Sequence, residues 1–231
     1  MSKKHVQDEL EQDPLLETFS KAQGFYDNNK MAVFGGLAAL ILVIGGAIGY
    51  YYYSQSQEGK AQLLMADASN YYMNGDYEQA LTGSEQDFTV GFEQIINNYS
   101  GTEAANLAHY YAAVSEYNLG NFQQAASYIE GFDVPEGILG VGPISFHALL
   151  MTDLGNYAEA AKLYVKAAEW DKNDSTTPYN YSKAAQAYFD AGNHSKAQSY
   201  AQKVVDNYSG SSQADEAQRL LGRLMASNNS Q

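Results

Sequence analysis

Apolar positions along the chain first gather at residues 31–53, MAVFGGLAALILVIGGAIGYYYY, a run without one charged side chain. As a helix it would be about 35 Å long at roughly 1.5 Å per residue, enough to cross a hydrocarbon core of about 30 Å. A soluble core helix rarely stays apolar on every face for that length. Lys30 closes the run on one side, and Tyr50 to Tyr53 place amphipathic rings where an interfacial belt belongs. The pattern predicts a transmembrane helix over 31–53. The 30 residues before it are more than the short basic start of a cleavable signal peptide, which favours an uncleaved anchor.

Two shorter patterns accompany the span. Residues 14–27 put Leu15, Leu16, Phe19, Ala22, Phe25 and Tyr26 near one face of a helix, with Pro14 suited to its first turn. That predicts a short amphipathic helix in the tail, at the membrane surface or against a partner. Inside the span, Gly35 and Ala39, like Gly45 and Gly49, are small residues four apart, which lets a second membrane helix approach closely.

Beyond residue 53 the chain repeats itself. NGDYEQA (74–80), LGNFQQA (119–125), LGNYAEA (154–160) and AGNHSKA (191–197) share one plan, and their glycines are spaced by 45, 35 and 37 residues. Seven residues before each glycine stands Ala68, Ala113, Ala148 or Ala185, and five after it Ala80, Ala125, Ala160 or Ala197. Two after comes a ring: Tyr77, Phe122, Tyr157 or His194. Glycine permits the left-handed turn that reverses a chain, and paired alanines let antiparallel helices approach. The ring is expected to fill the gap between one pair and the next. Such units bury their apolar faces only by stacking.

These stretches resemble tetratricopeptide repeats, whose period is about 34 residues. With the transmembrane helix read above, the resemblance implies an all-α chain: an N-terminal membrane span, then an α-solenoid of about four helix pairs and a capping helix. It divides the chain into a tail (1–30), the span (31–53) and a repeat domain (54–231). The long first interval places an extra loop near 81–91, LTGSEQDFTVG, and NYSGTEA (98–104) echoes NYSGSSQA (207–214) at equivalent helix ends. In this family the first helix of each pair lines a concave groove, at positions ten, six and three before the turn glycine. Here those are Met65, Ser69 and Tyr72; Tyr110, Val114 and Tyr117; Ser145, Leu149 and Thr152; and Ser182, Gln186 and Phe189. None is basic, so the family's clamp for acidic C-terminal peptides is not expected. Tyrosines there offer flat contact area at low entropic cost.

Charge and composition narrow the chemistry. The 231 residues carry 27 acids and 13 bases, a net charge of −14, so nucleic acid is not an expected partner. With no cysteine there is no disulfide, thiolate metal site or thiol nucleophile. No P-loop, GxSxG, GxGxxG or HExxH pattern occurs. Accordingly no catalytic residue, cofactor, metal or small-molecule substrate is expected. The 20 tyrosines call for a structural explanation.

Lys21 and Lys30 precede the span and only Lys60 follows it closely, which places the N-terminus in the cytoplasm. A tail, one membrane helix and an outer repeat domain is an order similar to that of the ancillary subunit of the SecYEG translocon, the YfgM family. That resemblance implies a bacterial inner-membrane, single-pass protein with a periplasmic solenoid. It would bind proteins beside the translocon, either periplasmic chaperones or emerging chains. The alternative is a structural scaffold for an envelope assembly, in cell division or secretion, with one fixed partner and no unfolded clients.

Overall fold

The structure is a computed structural model and describes residues 14–228; the start of the tail, 1–13, lies outside the described residues. The chain divides into two compact units, residues 1–56 and 57–231. The first holds α1 (Pro14–Asn28) and the opening turns of α2 (Lys30–Asn74). Asn29 joins them: its amide donates to the Phe25 carbonyl at 3.0 Å, and its own carbonyl accepts from Val33 N–H at 2.9 Å. Tyr26 meets Phe34 edge-on at 6.2 Å, and Lys30 lies over the Tyr26 ring while pairing with Asp27 at 3.1 Å.

Among the described residues, α2 is the one helix long and apolar enough to cross a membrane, and none of its most apolar stretch is buried. A Cβ added at Gly35, Gly45 or Gly49 would meet nothing within 4 Å, and Ala39 is exposed. Phe19 and Phe25 of α1 are exposed as well.

The second unit is a succession of helix pairs. The end of α2 pairs with α3 (Tyr77–Thr82) and α4 (Phe92–Asn98); α5 (Glu103–Asn118) with α6 (Phe122–Glu130); α7 (Ile138–Asp153) with α8 (Tyr157–Trp170); and α9 (Thr177–Asp190) with α10 (His194–Asn207). The last helix, α11 (Ala214–Asn228), closes the stack against α10 and α9 with Ala217, Leu220, Leu221 and Leu224 buried.

Each pair reverses in the same way. Gly75, Gly120, Gly155 and Gly192 have φ of 83°, 82°, 75° and 76°, a region costly for residues with a Cβ. Each glycine N–H donates to the carbonyl three residues back, and the next N–H to the carbonyl five residues back, as in Gly120 to Tyr117 and Asn121 to Glu116. This pair of hydrogen bonds satisfies carbonyls that the helix end would otherwise leave open. The eight repeat alanines flanking these turns are all 0% exposed, because helix backbones approach each other at those points.

Repeat one departs from the rest. Its second helix is split by a hairpin of β1 (Gly83–Ser84) and β2 (Thr89–Val90), antiparallel, where the sequence pointed to a loop. Gly91 is needed for closeness: a Cβ there would lie 2.1 Å from the Leu81 carbonyl oxygen. Asp87 ties the hairpin down by accepting from the hydroxyls of Ser84 (3.0 Å) and Tyr71 (2.7 Å). The next residue, Phe88, is 94% exposed on a left-handed backbone with φ of 55°.

Elsewhere, Glu58 accepts from the N–H groups of Glu103 (2.7 Å) and Ala104 (3.2 Å), so α2 caps the start of α5 together with Thr102. In repeat three the indole of Trp170 donates to the Pro135 carbonyl at 3.0 Å, above a small core of Val141, Ile144 and Ala167. The echoed NYSG segments do end equivalent helices: Tyr99 N–H bonds to Ile95, and Tyr208 N–H to Val204.

Candidate protein-binding groove

The twelve positions that the repeat spacing assigned to a groove lie on α2, α5, α7 and α9, the first helix of each pair. None is fully open. Met65 (7% exposed) and Ser182 (3%) are buried, which corrects their assignment. Met65 belongs to the core of repeat one, and the Ser182 hydroxyl donates to Glu216 on the closing helix at 3.3 Å. Ser69, Val114 and Leu149 are half-buried. Ser145 is spent on the Val141 carbonyl (2.8 Å) and on Asn180 (2.7 Å), and Thr152 on the Ala148 carbonyl (2.9 Å). Gln186 donates to Asp190 at 2.8 Å, one helical turn on.

The aromatic positions are joined by rings that the spacing did not single out. Tyr72 touches Tyr77 (5.8 Å), Phe92 (6.4 Å) and Tyr111 (4.9 Å). Tyr110 meets Tyr111, Phe132 and Phe146, and Tyr117 meets Phe122 (5.3 Å) and Phe146 (5.5 Å). In three of the four repeats the ring after the turn therefore packs on the ring three before the glycine in its own repeat, not between one pair and the next. Tyr77 on Tyr72, Phe122 on Tyr117 and His194 on Phe189 (5.3 Å) all obey this. Repeat three has Thr152 at that position, and its Tyr157 stays exposed. Edge-on and offset ring pairs add to simple burial. Many tyrosines are thus accounted for as the packing between helices.

Burial holds the hydroxyls of Tyr72, Tyr110 and Tyr117 above the ordinary tyrosine pKa, with neighbouring Asp153 acting the same way on Tyr117. Tyr128 is pushed up to about 12 by burial and by Glu93, to which its hydroxyl donates at 3.0 Å. All stay protonated donors near neutrality. Beside α5, a cleft of about 300 Å³ is bordered by Thr102, Asn106, His109 and Asp133. Asn106 spans it, exchanging two hydrogen bonds with the Asp133 backbone at 3.0 and 2.7 Å. Among the described residues no group of three or more His, Cys, Asp or Glu is placed to hold a metal.

Comparison with known proteins agrees with this architecture. A family model for the tetratricopeptide repeat matches residues 179–211, which cover most of α9 and α10. No curated protein matches the chain. Two solved structures of the nearly identical TPR-like repeats of a Podosopora anserina protein, described as a kinesin light chain, superpose on 75% of this chain and 89% of theirs. The TM-scores are 0.53 and 0.54 at 16% identity, which speaks for the fold. The described residues are mostly helical, and the second unit is a tetratricopeptide-like solenoid.

Proposed function

We propose that this chain is a membrane-anchored, non-enzymatic protein-binding module. In this reading residues 31–53 hold it in a bacterial inner membrane with the N-terminus in the cytoplasm, and the periplasmic solenoid receives partner proteins beside the Sec translocon. The observation that carries the reading is the pairing, in one chain, of a long apolar helical stretch with no buried residue and a stack of repeats. An apolar span of that length is stable in lipid and costly in water. Stacked helix pairs offer an extended side for polypeptide contact. The translocon itself rests on the resemblance in segment order.

The packing of Tyr72 and Tyr117 on their own repeats favours a second reading as well, a scaffold with one fixed partner, since those rings are less free for clients. One experiment separates the readings. A photoreactive benzoylphenylalanine is placed at Leu149 or Val114 in the full chain, expressed in a Gram-negative cell, and the membranes are washed with carbonate. The expected result is a chain retained in the pellet, with crosslinks to translocon subunits and to many short-lived chains. A single discrete adduct would identify the scaffold. Release by carbonate would remove the anchor.

A further inference from the structure

The tyrosine hydroxyls of the solenoid seek carboxylates. Tyr71 donates to Asp87 (2.7 Å), Tyr117 to Asp153 (3.0 Å), Tyr128 to Glu93 (3.0 Å), and Tyr181 to Glu169. Only the last pair is completed by a base. Lys203 holds its ammonium 4.1 Å from the centre of the Tyr181 ring, 2.6 Å from the hydroxyl and 3.0 Å from Glu169. A cation there is attracted by the ring face and the carboxylate together.

The other three pairs lie in residues 61–161, which contain thirteen acids and neither lysine nor arginine. The chain itself has no base there to complete them. The groove positions show the same contrast. Phe189, three before the turn glycine of repeat four, carries the guanidinium of Arg223 at 4.5 Å. Tyr117 is its counterpart in repeat two, and beside it stands the exposed Asp153.

We propose that Tyr117 and Asp153, bridging α5 and α7, receive a lysine or arginine side chain from a bound polypeptide segment, as Lys203 completes Tyr181 and Glu169. The partner is then a cationic segment, and the acidic, base-free stretch 61–161 that carries the pair supplies charge complementarity and faster encounter. This deepens the reading of the solenoid as a protein-binding surface and rests on it.

The test uses the full chain in non-ionic detergent. Three fluorescent Gly-Ser peptides carry lysine, glutamine or glutamate at the same places, and affinity is read by anisotropy at low and high salt. The lysine peptide should bind about tenfold tighter than the glutamine one at low salt, with most of that margin lost at high salt. Asp153→Asn keeps an acceptor for Tyr117 but removes the charge. It should weaken the lysine peptide about threefold and leave the glutamine peptide alone. Asp206→Asn, an equal loss of charge in repeat four, should do neither. Equal losses in the two variants, or equal binding of lysine and glutamine peptides, would overturn the proposal while leaving protein binding in place. No binding of any peptide would overturn both.

Discussion

The front of the solenoid, residues 61–161, and its back, 162–228, follow one repeat plan and hold themselves together by different means. In front, rings lean on rings: Tyr72, Phe92, Tyr111, Tyr110, Phe146 and Tyr117 form an unbroken chain of contacts among uncharged side chains. Behind, rings also stack, as Tyr200 does on Tyr181 and Tyr188, but eight bases balance seven acids and cations cover several of the rings. Lys196 lies over Tyr188 (5.1 Å), Lys203 over Tyr181 (4.1 Å) and Arg223 over Phe189 (4.5 Å). The difference teaches how little the repeat dictates. It prescribes a glycine turn and two alanine contacts, and leaves open what the rings rest on.

The heaviest blow to the front would be Phe92→Ala. This ring is fully buried between Tyr72 and Tyr111, and its loss should cost about 3–5 kcal/mol. Thermal melting should show early loss of part of the helix signal, from the front alone. A single sharp transition shifted as a whole would mean that front and back form one cooperative unit.

Ala148→Leu strikes where the two regions join, since Ala148 is buried in the core shared by α7, α8 and α9. Overpacking there should cost about 1–3 kcal/mol. An unchanged melting temperature would show that the helices do not approach closely at that alanine.

The smallest effect is a pH dependence of opposite reach in the two regions. Burial lowers the pKa of His109 and His147, both in front, below 6.5. The unfolded chain takes up those protons first, so their stabilisation is full above pH 6.5 and fades as pH falls from there through the lowered folded values. In back, Glu169 is drawn down to about 2 by Lys172, Tyr181 and Lys203, so its share is full above pH 4.5 and lost only as pH falls through about 2. Hydrogen exchange at pH 5 should accordingly open α5 and α7 before α8 and α10. The reverse order would put the acid-sensitive groups elsewhere.

The turns and their alanines were legible because they are local: a glycine at φ near 80° and alanines seven before and five after it lie within one helix pair. Tertiary choices were not. Whether the ring after the turn reaches its own repeat or the next depends on a tilt that no spacing records. The spacing also could not tell that Met65 faces inward or that Ser182 meets Glu216, thirty-four residues on. Phe146 and Tyr111 both stand nine before a turn glycine, but Ala66 and Lys183 in the other two repeats break the signal. The hairpin was marked only as surplus length. Gly83 and Gly91 reveal their purpose once the Thr89 carbonyl is seen against the first and the Leu81 carbonyl against the second.

Trp170 is the chain's only tryptophan, and it is fixed by its indole bond to Pro135 at 3.0 Å in repeat three, where front gives way to back. Emission excited at the red edge of the indole band therefore watches that seam and nothing else. Light absorbed by the 20 tyrosines reports on the remainder. A solenoid of stacked units is free to unravel from one end, and two optical channels that part company during heating would record it. The chain thus carries its own two-colour thermometer, with no label to attach.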